Sequence, residues 1–238
     1  MVLVNDLAEM RNLLGSIDLA AIIFDFDGTL VDSEPAWKST FFDLFKERHG
    51  ISISKEILWE NTGNGVDLSV KNISNKYDLN LSESETSSTA NDLHLEMQRK
   101  IIEELPLREG AIEVMDWAQQ NDIALAICTA STSDLIDAYF EKHGLRDRFS
   151  HVFSTAVSEI EKRKPYAYPY LETMKLLRVQ ADQTIVIEDS PSGIKSAVSA
   201  GIRTIAIQDI FIEDQVSEAH PIFQVTDFSQ VLELLASL

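Results

Sequence analysis

The chain has 238 residues, of which 45% are hydrophobic and 25% are charged, a balance typical of soluble globular proteins. Its net charge of −19 argues against nucleic acid or an anionic membrane as a partner. The single cysteine, Cys128, excludes an internal disulfide. Because the first residues carry acids where a secretion signal has a basic region, we expect a cytoplasmic protein.

The first clear element is a buried strand that leads into the stretch AIIFDFDGTLVDSEP, residues 20–34. Asp25 and Asp27 follow its apolar part, and residues two apart on an extended strand point to the same side. Two carboxylates this close repel one another, and burying either without a partner is costly. A divalent cation or proton-transfer chemistry explains the pair better than a solvated turn does. Asp32, farther along, is expected to hydrogen-bond locally.

Residues 33–105 differ from the rest of the chain because they are predicted to be helical throughout. Ser82 and Glu85 form a capping-box pattern, and the apolar residues after it recur at helical spacing: Ala90, Leu93, Met97 and Ile101. A helical block between the first strand and the remaining strands predicts a cap domain over the active face. The core domain is then expected to comprise residues 1–32 and 106–238.

From residue 106 onward, short apolar strands alternate with helices. Ser190 and Pro191 are typical of a helix cap and first turn, whereas Gly144 and Gly201 are typical of helix ends. The predicted strands lie at 123–128, near 151–155, at 184–188 and at 203–207, and further helices lie near 132–143, 168–178 and 227–237. This alternation predicts an α/β protein with a Rossmann-like parallel sheet covered on both faces.

Polar residues follow four of the predicted strands. In open parallel sheets, ligands bind at the carboxyl ends of the strands, so these residues are expected to converge on one edge. They are Asp25 and Asp27 after the first strand, Thr129 and Ser131, with Ala130 between them, after the second, Lys164 after the third, and Glu188 and Asp189 after the fourth.

The residue types at this edge fit phosphoryl transfer. One carboxylate of the first pair can attack phosphorus, while Asp27 can protonate the leaving oxygen and then activate water. The acidic pair at the end of the fourth strand suits Mg²⁺, a hard cation that prefers oxygen ligands. Gly28 lets backbone amides approach a phosphoryl oxygen, and the Thr129 hydroxyl and Lys164 ammonium add donors.

The segments FDFDGTLVDSEPAW and IEDSPSGIKSAVSAG, with Thr129 and Lys164-Pro165 between them, resemble the haloacid dehalogenase superfamily. The similarity is to the branch of small-molecule phosphatases and β-phosphoglucomutase, which has an inserted helical cap, and it covers residues 20–207. The resemblance implies that Asp25 is the nucleophile and a metal ligand, and that Asp27 is the general acid/base and binds the metal through its main-chain carbonyl. It also implies that the phosphoryl group is bound by Gly28, Thr129, Ala130 and Lys164. The remaining Mg²⁺ ligands would be Glu188 and Asp189.

The segment that begins at Lys164 departs from the usual family motif, Lys-Pro-x-Pro-Asp-x-Tyr. Here residues 164–170 read KPYAYPY, so the second proline and the Asp are missing. Lys162 and Arg163 are close enough to compete for the role of the lysine. We choose Lys164 because Pro165 follows it.

The resemblance leaves a phosphatase and a sugar phosphomutase as alternatives. Mutases of this family have a His at the position of Trp37 and an Arg in the loop that corresponds to residues 62–67. In this chain that loop contains no basic residue. These differences favour a phosphatase. Its default substrate is a sugar phosphate or a phosphoglycolate-like metabolite, but the loop gives no support for a hexose phosphate, because similar hexose-phosphate phosphatases often have an Arg there too. Two roles fit Trp37, packing within the helical block or forming a wall of the substrate site; packing is the expected role. We expect a monomer or a weak homodimer.

Two other classes share some of these features. A phosphorelay receiver also combines a phosphorylated Asp with further acids, a Thr and a Lys, but its acidic pair comes first in the chain. Here the nucleophile motif comes first and the acidic pair last, with a helical insertion between them. A catalytically inactive binding protein on the same fold is disfavoured because all four motifs are present.

Overall fold

The computed structural model describes residues 3–4, 6–15, 17–61, 66–207 and 222–238. The chain divides into two compact units. The first, which we call the core unit, comprises Met1–Asp32 and Pro106–Leu238. The second, the helical unit, is the intervening segment Ser33–Leu105. The predicted fold class, a parallel α/β sheet with an all-helical insertion, is confirmed.

The core unit is built on a seven-stranded sheet in which all neighbouring strands run parallel. In chain order the strands are β1 (Leu3–Val4), β2 (Ala21–Phe24), β3 (Ala124–Thr129), β4 (His151–Ser154), β5 (Thr184–Glu188), β6 (Arg203–Ile207) and β7 (Ile222–Val225). Across the sheet they lie in the order β1-β7-β6-β5-β2-β3-β4. The order therefore reverses at β2, and such a reversal marks the ligand-binding edge of an open parallel sheet.

Strands β2 and β5 are buried at every residue. Burial on both faces explains why they are nearly continuous apolar runs and do not alternate between apolar and polar residues. The register places Phe24 level with Ile127 of β3 and with Ile187 of β5. The residues that follow these three therefore emerge at the same edge of the sheet.

The described helices are, in chain order, α1 (Leu7–Leu14), α2 (Glu34–His49), α3 (Lys55–Glu60), α4 (Val66–Lys76), α5 (Glu83–Glu104), α6 (Ala111–Gln120), α7 (Ser133–His143), α8 (Tyr168–Leu177), α9 (Pro191–Ser199) and α10 (Phe228–Leu235). Helices α2 to α5 make up the helical unit, and the others belong to the core unit. Helix α5, the longest, begins in the predicted capping box, since the Ser82 and Glu85 side chains each accept a bond from the other residue's main-chain N–H.

The starts and ends of the core helices follow the residues that cap them. Ser190 accepts a hydrogen bond from the Gly193 N–H at 3.0 Å, and Pro191 is the first residue of α9, as predicted. Gly144, at φ +67°, ends α7, also as predicted. Helix α9 ends at Ser199, two residues before Gly201, which therefore lies just outside it. These signals set the positions of two helices that begin beside the strand ends.

The helical unit has its own apolar cluster, which includes Phe41, Phe45, Val70 and Leu93. Trp37 packs against this cluster, and its ring lies edge-to-face with the His94 ring at 6.1 Å between centroids. Within the helical unit Trp37 is therefore a packing residue, as expected. Most of the loop in which the sequence lacks a basic residue, positions 62–65, lies outside the described residues.

Among the residues that the structure describes, no helix is both long enough and apolar enough to cross a bilayer. Helix α5 has 22 residues, but charged side chains recur along it.

Candidate active site

The acidic, basic and hydroxyl groups predicted from the sequence meet where β2, β3 and β5 end. Asp25 continues the ladder beyond β2, since its main-chain N–H donates to the Ile187 carbonyl at 3.0 Å. Thr129 and Glu188 are the last residues of β3 and β5. Because β2 pairs in register with β3 on one side and with β5 on the other, these three residues lie at the same edge of the sheet.

Lys164 lies at the centre of this group. Its ammonium donates to Asp25 Oδ1 at 2.5 Å, to Glu188 Oε1 at 2.5 Å and to the Cys128 carbonyl at 3.0 Å. The side chains of Lys164 and Asp25 are each 8% exposed, and that of Glu188 is fully buried. The three charges therefore form one buried network, in which the attraction between unlike charges offsets the cost of removing each from water.

The two basic residues that compete with Lys164 in the sequence lie elsewhere. Lys162 pairs with Glu159 at 2.9 Å on the surface, and Arg163 donates to the Ser158 carbonyl at 2.7 Å. The structure thus brings Lys164 alone of these three neighbours to the strand ends.

Glu188 is held by five donors. Its Oε2 atom accepts from the Asp189 and Ser190 main-chain N–H groups at 3.0 and 2.9 Å and from the Ser190 hydroxyl at 3.0 Å. Its Oε1 atom accepts from Lys164 and from the Tyr170 hydroxyl at 3.0 Å. The carboxylate therefore fixes the first residues of α9 and the lysine at the same time.

Two glycines make room for these carboxylates. A Cβ atom at Gly193, in the first turn of α9, would lie 1.6 Å from Glu188 Oε1, and one at Gly28 would lie 2.1 Å from Asp189 Oδ2. Gly28 also has φ +86°, a conformation that favours glycine. Glycine is needed at both positions because the backbone there lies so close to a carboxylate. At Gly28 this contact places the turn after Asp27 against Asp189.

Three carboxylates of the site could hold a metal ion. Asp25, Glu188 and Asp189 each offer an oxygen, and these atoms lie within 4.8 Å of one another. Burial raises the pKa of Asp25 well above its usual range; Lys164 lowers it in part, and the Glu188 and Asp189 charges raise it again. Burial, followed by the Glu188 charge, raises the pKa of Asp189 to about 7. A hard divalent cation with oxygen ligands fits this group because it would offset the crowded negative charge.

Asp189 has one further partner in the loop after β2. The Thr29 hydroxyl donates to Asp189 Oδ1 at 2.8 Å, and Thr29 is fully buried. This bond joins the DGT turn to the start of α9.

Asp27 contacts Ser131, which follows Thr129 and Ala130 at this strand end but was given no role in the chemistry from the sequence. The Ser131 hydroxyl donates to Asp27 Oδ2. The predicted phosphate-binding residue Thr129 is buried, and its hydroxyl oxygen accepts the Ser131 N–H at 3.0 Å. Ala130, between them, is exposed at the same edge. Asp27, Thr129 and Ala130 therefore all lie at the strand ends where the sequence placed them.

Asp32 does not bond locally as expected. Its Oδ1 atom accepts from Arg108 Nη2 at 3.0 Å, and Arg108 also donates through Nε to the Gly28 carbonyl at 2.9 Å. Main-chain bridging between Val31 and Leu107 brings the two segments together. Arg108 thus ties the turn after Asp27 to the point at which the chain returns to the core unit.

Sequence reasoning missed four supporting residues: Thr29, Arg108, Ser131 and Tyr170. Thr29 and Tyr170 stand inside motifs that were identified, so their proximity to the site could have been inferred. Ser131 follows Thr129 and Ala130, so its place at this strand end was predictable, but its bond to Asp27 was not. Arg108 belongs to none of the motifs and lies 76 positions from Asp32 in the chain, so it gave no such signal.

Comparison with known proteins agrees with this arrangement. The family model for haloacid dehalogenase-like hydrolases matches residues 22–207. A relative from Caldanaerobacter subterraneus, provisionally named pyrophosphatase PpaX, is 25% identical over 223 residues, covering 91% of this chain and 94% of the relative. Phosphoglycolate phosphatase of Vibrio parahaemolyticus is 24% identical over 232 residues, covering 92% and 97%.

The fold also recurs in solved structures. The crystal structure of a family IA hydrolase from Entamoeba histolytica superposes with a TM-score of 0.76, at 23% identity, covering 92% of this chain and 99% of the other. The family model spans most of the chain, including every strand end that contributes to the site. The chain therefore belongs to the haloacid dehalogenase-like hydrolase family.

Proposed function

We propose that the protein is a Mg²⁺-dependent phosphatase that hydrolyses a small phosphorylated metabolite through an aspartyl-phosphate at Asp25. The observation that carries this proposal is the buried network of Asp25, Lys164 and Glu188, with Asp189 beside it. Buried charges at the reversal point of a parallel sheet are costly unless a ligand or a reaction uses them.

The reaction is divided between the two carboxylates of the DxD motif. Asp25 attacks phosphorus, so that a bond forms between its oxygen and phosphorus while the bond from phosphorus to the leaving oxygen breaks. Asp27, as the acid, gives its proton to that leaving oxygen. In the second step Asp27, now a carboxylate, takes a proton from water as the water attacks the phosphorus on Asp25, which releases inorganic phosphate and restores both residues.

The phosphoryl group is held by donors around the same edge. Lys164 supplies a positive charge. The Thr129 oxygen accepts from Ser131 N–H, and the hydroxyl of Thr129 also carries one proton that it can donate. The main-chain amides near Gly28 and at Ala130 complete this set. Lys164 also shields Asp25 from its acidic neighbours, since it contacts both Asp25 and Glu188.

Mg²⁺ would be held by the carboxylates of Asp25, Glu188 and Asp189 and by the main-chain carbonyl of Asp27. When bound, Mg²⁺ supplies positive charge that reduces the repulsion between an anionic nucleophile and a phosphate ester. Both oxygens of Glu188 already accept hydrogen bonds. Glu188 therefore contributes its charge to the metal whether it contacts the ion directly or through water.

The substrate class that we propose is a sugar phosphate or a phosphoglycolate-like compound. The similarity to a named phosphoglycolate phosphatase over 92% of the chain supports this choice. The absence of a basic residue at positions 62–67 and the packing of Trp37 in the helical unit weigh against the alternative, a sugar phosphomutase.

The test is a hydrolysis screen of the full-length protein with and without Mg²⁺. The panel contains p-nitrophenyl phosphate, 2-phosphoglycolate, inorganic pyrophosphate, several hexose phosphates, and β-glucose 1-phosphate with its bisphosphate activator. We expect phosphate release that depends on Mg²⁺. Isomerisation of β-glucose 1-phosphate faster than phosphate release would replace the phosphatase with the mutase, and no turnover of any ester would refute both.

A further inference from the structure

We propose that Ser131 is a positioning residue that holds the Asp27 carboxyl in the orientation needed for proton transfer, and that Ser154 in turn holds Ser131. This inference rests on the proposed function, because it gives Asp27 the role of general acid and base. It adds two side chains from β4 and from the loop after β3 to the machinery of the reaction.

The three polar groups of Ser131 all have partners. Its hydroxyl donates to Asp27 Oδ2, its N–H donates to Thr129 Oγ1 at 3.0 Å, and its carbonyl accepts from the Ser154 hydroxyl at 2.6 Å. Ser154 is itself oriented, since its hydroxyl oxygen accepts the Ala156 N–H at 3.2 Å. A residue held at both main-chain groups can aim its hydroxyl at one fixed point.

The sheet explains why these residues meet. Ser154 is the last residue of β4 and pairs in register with Thr129, the last residue of β3. The loop that follows Thr129 therefore passes the end of β4, where the Ser154 hydroxyl reaches it. The sheet thus transmits the position of β4 to Asp27 through two serine side chains.

The Ser131 hydroxyl is not needed to start the next helix. Thr132 caps α7, because its side chain accepts the Leu135 N–H at 3.4 Å. Helix formation therefore gives no reason for a hydroxyl at Ser131. Its contact with Asp27, 104 positions earlier in the chain, is the interaction that remains to be explained.

The chemical consequence concerns the first step. A bond from Ser131 to Oδ2 fixes rotation of the Asp27 carboxyl about Cβ–Cγ and so fixes the direction in which the acid presents its proton. Proton transfer matters most when the leaving group is a poor one, because a good leaving group departs as an anion. Loss of Ser131 should therefore be felt in proportion to the basicity of the leaving oxygen.

The test compares p-nitrophenyl phosphate, which has a good leaving group, with phenyl phosphate, which has nearly the same shape and a poorer one. Values of kcat/KM report the steps up to phosphoryl transfer to Asp25 and not the later hydrolysis. We expect Ser131→Ala to lower kcat/KM about tenfold for phenyl phosphate and less than about twofold for p-nitrophenyl phosphate. Ser131→Thr, which keeps a hydroxyl, should restore most of the loss.

Two further variants complete the series. Ser154→Ala should change the same ratio in the same direction by a smaller factor, since it acts through Ser131. Ser133→Ala removes a hydroxyl from an exposed residue at the start of α7 and should leave the ratio unchanged. An equal loss on both esters in Ser131→Ala, or no loss on either, would overturn the proposal. Wild-type protein that hydrolyses neither ester would instead refute the proposed phosphatase activity.

Discussion

Exposed ion pairs occur in both units, but among the described residues the pairs that are buried on both sides lie in the core unit. In the core unit, Asp25 and Lys164 contact one another with only 8% of each side chain exposed. In the helical unit, Arg99 bonds to Glu96 and Glu104 with about half of its side chain in solvent. Buried charges are kept only where partners or a ligand compensate their desolvation, whereas exposed pairs add little to stability. The comparison places the chemistry in the core unit.

The largest expected effect is the loss of the nucleophile. Asp25→Asn should lower kcat for p-nitrophenyl phosphate by at least about 10⁴-fold, because an amide cannot form the phosphoenzyme. Steady-state release of p-nitrophenol measures it, with circular dichroism to show that the variant is folded. Asp182→Asn, an exposed position before β5, is the matched control and should keep wild-type activity. Comparable activity in the two variants would mean that a residue other than Asp25 is the nucleophile.

The next largest effect is expected from removing the buried ammonium group of Lys164. Lys164→Met should destabilise the protein by about 3–5 kcal/mol, because Asp25 and Glu188 lose a shared buried partner. Urea unfolding measures this free energy. The phosphatase activity of the variant should be lower than that of wild type by about 10²-fold or more. Lys162→Met removes an exposed ammonium two residues away and should change neither quantity. A Lys164→Met protein as stable as wild type would mean that the network is not formed.

A smaller effect is expected from the metal. Saturating Mg²⁺ should stabilise the wild-type protein by about 2–3 kcal/mol at a hundredfold excess over Kd. Asp189→Asn should lose most of that gain. Without Mg²⁺ it should melt no lower than wild type, since it relieves repulsion from Glu188 while an amide oxygen can still accept from Thr29. Thermal melts with and without Mg²⁺ measure both quantities. Retention of the full Mg²⁺ shift in Asp189→Asn would exclude it as a ligand.

The smallest effect is expected on the surface of the helical unit. Arg99→Ala should change Tm by less than about 1 °C and leave hydrolysis of p-nitrophenyl phosphate unchanged, because its ion pairs are exposed to solvent. Leu93→Ala in the apolar cluster shows that the melt responds to this unit, with an expected loss of about 2–5 kcal/mol. A large Tm shift in Arg99→Ala would contradict the claim that exposed ion pairs of the helical unit add little to stability.

Much of the core unit could be predicted from sequence because its central strands are buried on both faces. The strands 184–188 and 203–207 match β5 and β6 residue for residue. Strands β1 and β7 and helices α1 and α6 were not predicted. β1 has two residues, too few for an apolar pattern, and β7 reads IFQV, with a polar residue in a run of four. Both lie toward one edge of the sheet, where pairing and not composition decides the structure.

The candidate site was predictable to the extent that topology alone determines it. Strand ends of a parallel sheet meet at one edge, so Asp25, Thr129 and Glu188 could be placed together from their motifs. The Ser131 contact with Asp27 and the Arg108 contact with Asp32 depend on loop conformation, which spacing does not reveal. The saturation of Glu188 by five donors is likewise a property of packing, since it requires Tyr170 of α8 and the first turn of α9.

The most direct measurement is to find where the phosphoryl group goes. Wild-type protein is mixed with a ³²P-labelled ester that the screen has shown to be a substrate, quenched in acid within the first turnover, and digested for peptide mapping. The label should be on Asp25, it should be absent from Asp25→Asn, and it should disappear at the rate of phosphate release. Turnover without a labelled protein, or label on another residue, would contradict the assignment of Asp25 as the nucleophile.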